Sequence, residues 1–68
     1  MNLKKNEIEI IKLLIASTNY ISSYDIATAT GINRRLVRDE MLNVKIILKS
    51  LGYELVSKTS KGYIIEGK

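Results

Sequence analysis

Sixty-eight residues suffice for one small domain, residues 1–68, with a modest hydrophobic core, and a composition 46% apolar argues against disorder. With no cysteine and no histidine, the chain has no disulfide framework, no thiolate or imidazole metal site and no histidine general base, so packing alone must hold it together. The net charge of +4 resides between Gly31 and Gly62, where Arg34, Arg35, Arg38, Lys45, Lys49, Lys58 and Lys61 outnumber Asp39, Glu40 and Glu54; charge alone suits either a partner dense in negative charge or a solvated, soluble surface.

Lys4 and Lys5 lead into Glu7 and Glu9, unlike a secretory signal, and the longest apolar run is Leu13-Leu14-Ile15-Ala16. The expectation is a soluble, cytoplasmic chain with no membrane partner.

Residues 4–16 have the spacing of an amphipathic helix. Ile8, Ile11, Leu14 and Ile15 recur at threes and fours, opposite Lys5, Glu9, Lys12 and Ala16. Ile10 and Leu13 widen the apolar stripe beyond one core contact. Ser17-Thr18-Asn19 is turn chemistry, and Tyr20-Ile21 suits a short strand.

Ser22 and Asp25 have capping-box spacing, which predicts a second helix over 23–30, ended by Gly31 in the left-handed region. Asn33 caps a third helix over 34–50, stopped by Gly52. Along it Val37, Met41, Val44, Leu48 and Leu51 form a buried stripe. At about 100° per residue, Arg34, Arg35, Arg38, Lys45 and Lys49 share an adjacent arc. Residues 53–56 and 63–66, rich in aromatic and β-branched side chains, predict a hairpin around a polar loop over 58–62, with Tyr53 and Tyr63 as cross-strand partners.

Helix, short strand, helix, helix, hairpin is the order of a winged helix-turn-helix, mainly α with a small β-hairpin. Ala27, Gly31 and Val37 supply the small residue, the turn and the apolar seat that two closely packed helices need. The spacing alone is weak; followed by Arg34-Arg35-Leu36-Val37-Arg38 and a basic hairpin, it becomes fairly specific.

From Ile21 to Ile65 the chain resembles the N-terminal winged helix-turn-helix of bacterial sugar-operon activators with phosphotransferase-regulated domains, the mannitol and lichenan type. The DNA-binding domain of the biotin repressor is similar. The likeness lies in Ile21-Ser22-Ser23-Tyr24-Asp25-Ile26-Ala27, in Gly31-Ile32-Asn33-Arg34-Arg35-Leu36-Val37-Arg38 and in Lys61-Gly62-Tyr63-Ile64. It implies double-stranded DNA as partner, with Arg34, Arg35 and Arg38 facing it and Lys58 and Lys61 on the wing. Leu36 and Asp39 depart from the usual pattern, a short polar residue and a frequently basic one. Larger members continue into regulatory domains after the hairpin, which leaves open both a fragment of such a regulator and a free-standing head.

The remaining candidates carry two readings each. Asn33 is first a helix cap and second a phosphate contact. Leu36 packs against the second helix or meets a thymine methyl. Ser23 stands at a helix N-terminus able to hold a phosphate, and Lys45 belongs to the basic arc. No cofactor is expected, and no carboxylate pair suits catalysis, since the neighbours Asp39 and Glu40 point about 100° apart. The rival function is a protein-docking module, which calls for an exposed apolar patch; RNA binding lacks the aromatic set for stacking bases. A second copy is expected to pair through a further C-terminal domain or through Ile10 and Leu13 of the first helix.

Overall fold

The computed structural model describes residues 4–67. Three helices, α1 (Lys5–Ala16), α2 (Ser23–Thr30) and α3 (Arg34–Ser50), precede β1 (Tyr53–Lys58) and β2 (Gly62–Gly67), which pair antiparallel. This is the mainly helical winged helix-turn-helix that the element order predicts. At about 1.5 Å per residue, α3 is roughly 25 Å long, close to the full 26 Å extent of the molecule. α1, α2 and β1 pack against this one rod, and β2 pairs with β1 and touches α1.

The buried face of α1 differs from the one hydrophobic spacing selects. Glu7, Ile10, Ile11 and Leu14 are buried, whereas Ile8 is half-buried and Ile15 is 57% exposed. The cause lies at the helix start. The Lys4 backbone N–H donates to the Glu7 carboxylate at 3.0 Å, so a charged residue satisfied by its own helix end occupies the core-facing line. The apolar stripe therefore rotates onto Ile10, which is fully buried. Ile10 is thus unavailable for the self-association that helix 1 was expected to support, and Leu13, packed against the core's edge, is half-buried.

Local chemistry sets α2 and the turn after it as expected. The Asp25 N–H donates to the Ser22 hydroxyl at 3.0 Å and the Ser22 N–H to the Asp25 carboxylate at 3.4 Å, completing the capping box. Gly31, at φ 76°, donates to the Ala27 carbonyl at 2.9 Å. Its surroundings are open, so the left-handed backbone alone calls for glycine there. The Thr30 hydroxyl donates to the Ile26 carbonyl and accepts from the Ile32 N–H, so it bridges the helix end and the turn.

Val37, Met41, Val44 and Leu48 of α3 are buried as expected and meet Ile10, Ile11, Leu14, Ile26 and Leu55 in one core. Leu51 is a correction. It is the C-cap residue, 61% exposed, because the helix ends at Ser50 and the chain turns away at Gly52 before Leu51 reaches the core. Ile47 fills that side of the core instead. Glu40 is also buried, and its Oε1 has no hydrogen-bond partner among the described residues.

The strands run farther than their β-branched segments suggest, reducing the loop to Thr59, Ser60 and Lys61 between the paired Lys58 and Gly62. The register sets Tyr63 opposite Ser57 and Tyr53 opposite Gly67, so the two tyrosines are not cross-strand partners. Both tyrosines stand near the starts of their strands, and antiparallel pairing sets the start of one strand against the end of the other. The short strand expected at residues 20–21 is a single bridge between Ile21 and Tyr63.

Candidate nucleic-acid interface

The start of α3 is built by Asn33, whose side-chain oxygen accepts from the Arg35 N–H at 2.8 Å and the Leu36 N–H at 3.4 Å. Its carbonyl side is thereby committed to capping. Fixing this turn directs three arginines outward within five residues, all exposed. They oppose the positive end of the helix dipole, which costs about 0.3–1 kcal/mol without an anion nearby.

Arg34 is turned back toward α2. Its Nε donates to the Ser23 hydroxyl at 3.4 Å, and its guanidinium carbon stands 5.9 Å from the centre of the Tyr24 ring. The start of α2 thus holds a cation carried by the start of α3. Arg35 and Arg38 line an open groove of about 930 Å³ together with Arg34, Asp39, Leu42 and Tyr63.

The wing brings its own charges to the same side. Lys58 and Lys61 hold their ammonium groups 5.9 and 5.7 Å from the Tyr20 ring, on the segment just before α2. Between the starts of α2 and α3 and the hairpin loop lies a cleft of about 360 Å³. Ser22, Ser23, Arg34, Arg38, Lys58 and Lys61 line it, with hydroxyls from Ser57, Thr59 and Ser60. Every charged residue on its wall is a cation. Such a wall favours an anionic group that accepts many hydrogen bonds.

Five of the nine candidates, Ser23, Arg34, Arg38, Lys58 and Lys61, therefore converge on one cleft, and Arg35 borders the adjoining groove. Lys45 lies farther along α3, in grooves shared with Lys49 and Glu54 on one side and Arg38 on the other. Leu36 is 39% exposed and lines neither the cleft nor the groove of Arg35. Asn33 serves the helix end.

What joins these parts is a helix pair meeting at Gly31, with the second helix presenting arginines beside a basic hairpin. A family model of the HTH domain matches residues 6–64, from the start of α1 into β2. The chain belongs to the HTH_11 family. This HTH domain is a DNA-binding module of the kind transcription regulators carry, and the family is a binding fold, not an enzymatic one. Its fold is similar to that in a crystal structure of ScpB from Mycobacterium tuberculosis, with a TM-score of 0.80 at 18% identity. The match covers 100% of this chain and 44% of that one, so the HTH domain spans under half its length. Likeness at this identity is one of fold. No curated protein sequence matches the chain. No helix among the described residues is long and apolar enough to cross a membrane.

Three residues of this face escaped the sequence reading. Tyr20 and Tyr24 flank Ser22 and take part only through cations brought from β1, the hairpin loop and α3. Leu42 carried a signal that went unused: at about 100° per residue it falls between Lys49 and Arg35 in the basic arc of α3.

Proposed function

We propose that this HTH domain binds double-stranded DNA sequence-specifically, as the reading head of a bacterial transcription regulator of the sugar-operon type. The observation that carries the reading is the all-cationic, hydroxyl-rich cleft where α2, α3 and the hairpin meet. It suits a backbone phosphate, while α3 lies in the major groove and the wing runs beside it. Phosphate contacts of this kind fix the register in which base-reading side chains work.

Selection of bound duplexes from a random pool, at two salt concentrations, tests this. The expected result is a recurrent half-site whose affinity falls with salt at a log–log slope of about −0.9 per phosphate neutralised. Binding that ignores salt, or no recurrent motif, overturns it.

A single head of this size buries about 600–1,000 Å² on DNA, which leaves its affinity modest. A second copy on a half-site about one helical turn away supplies the remainder. That copy is held by a further regulatory domain, since the α1 route loses Ile10 to the core.

A docking module is the second reading, and one observation favours it. Leu42 and Ile46, one turn apart on α3, are 71% and 66% exposed, the apolar surface such a module needs. Leu42 lies within the basic arc and Ile46 just beyond its Arg35 edge, so this surface adjoins the cations instead of lying apart from them.

A further inference from the structure

We propose that Leu42 reads sequence, by packing against the C5-methyl group of a thymine in the major groove. The inference rests on the DNA-binding reading and names what one position of α3 recognises.

Leu42 is the most exposed large apolar side chain among the described residues, at 71%. Isolated surface leucines are ordinary; the placement of this one is not. It lines the groove of Arg34, Arg35 and Arg38 and also the groove that runs from Arg38 past Lys45 to β1. Both of its grooves are therefore shared with Arg38. On the helical wheel it lies inside the cationic arc, between Lys49 and Arg35, pointing away from Val37, Val44 and Leu48. If that arc enters a DNA groove, Leu42 enters with it.

The chemistry of the surrounding line separates base edges from backbone. Asp39 borders the same groove. A carboxylate set against phosphates is repelled, whereas in the major groove it accepts from a cytosine amino group. An aliphatic side chain gains nothing from a phosphate and has one apolar target on the base edges, the thymine methyl. Asp39 and Leu42 together thus suit the groove floor. Leu36, the other apolar candidate on α3, is less exposed at 39% and lies outside these two grooves.

Spacing makes the assignment specific. Four residues of helix advance about 6 Å, and DNA rises about 3.4 Å per base pair. The thymine read by Leu42 lies about two base pairs from the base met by Arg38.

The test uses the half-site recovered by the selection above and replaces each thymine in turn with deoxyuridine, which removes only the methyl group. The wild-type chain is expected to lose about fourfold in affinity at one position, the value of one buried methyl. The Leu42→Ala variant binds the unmodified site more weakly and is indifferent to that replacement. A parallel thermal melt of the variant, altered at an exposed position, is expected to match wild type. Deoxyuridine that is neutral at every position, a half-site without thymine, or an equal loss in Leu42→Ala overturns the assignment while DNA binding stands. Failure to bind any duplex overturns both readings. An apolar peptide ligand that binds wild type but not Leu42→Ala, with DNA affinity unchanged, gives Leu42 to protein docking and rejects the thymine contact.

Discussion

Ile21 and Tyr63 exchange both backbone hydrogen bonds, at 2.9 and 2.8 Å, and so tie the wing to the residue before the α2 cap. Gly62 makes this approach possible. A Cβ on Gly62 would collide with the Ile21 carbonyl and come within 2.8 Å of the Ser22 Cα, and its φ is +108°. Both the backbone conformation and the space demand glycine. The position of Lys58 and Lys61 against α2 depends on it.

Gly62→Ala is expected to cost about 2–3 kcal/mol, from positive-φ strain and a clash with main-chain atoms that cannot rotate away. In a domain of this size that lowers the melting temperature by about 10–20 °C. Calorimetry measures it, and hydrogen exchange at Ile21 and Tyr63 should quicken. A variant as stable as wild type would show that the bridge is dispensable.

The cap at Asn33 separates folding from binding. Asn33→Ala removes the acceptor for Arg35 and Leu36 N–H groups and is expected to cost about 1 kcal/mol. Asn33→Asp keeps that acceptor, so it should melt like wild type, yet it adds a negative charge beside three arginines and should weaken duplex binding. Equal DNA affinity for Asn33→Asp and wild type would place the α3 start away from DNA.

Glu40 offers the opposite sign. A buried carboxylate oxygen with no partner among the described residues carries its desolvation cost uncompensated. Glu40→Met, which fills similar space without a polar atom, is expected to stabilise the domain by about 1 kcal/mol, or roughly 4–8 °C in melting temperature. Glu40→Gln should gain less, since an amide also needs a partner. Destabilisation by Glu40→Met would mean that the carboxylate is satisfied in solution.

Arg38 and Lys61 share the cleft but should differ in kind. Arg38 also borders the groove of Leu42 and Asp39, so Arg38→Ala is expected to lose roughly 1–3 kcal/mol on the preferred half-site and to relax preference at one position. Lys61→Ala should weaken all duplexes alike and reduce the salt slope by about one. Fluorescence anisotropy on matched and mismatched duplexes distinguishes them; uniform loss in both variants removes Arg38 from base reading.

Short-range chemistry was readable from the sequence because its partners are neighbours. Ser22 with Asp25, Gly31 with Ala27 and Asn33 with the next helical amides lie within four residues of each other, so spacing alone specified α2, the turn and the α3 start. The Val37, Met41, Val44 and Leu48 stripe was equally plain, since α3 buries one regular face. Hydrophobic period misjudged α1 because Glu7, satisfied by the Lys4 amide, takes a buried place that a polarity scale denies it. Leu51 kept the period but fell past the helix end.

Only the tertiary structure decided how the cations are grouped. Arg34 meets Ser23 and Tyr24, Lys58 and Lys61 meet Tyr20, and Gly62 meets Ile21 across stretches of chain whose closure depends on core packing and strand register. Charge and composition along the chain record that basic residues exist. Their convergence on one cleft, with Leu42 exposed in the groove beside it, is a property of how the hairpin folds back onto α2 and α3.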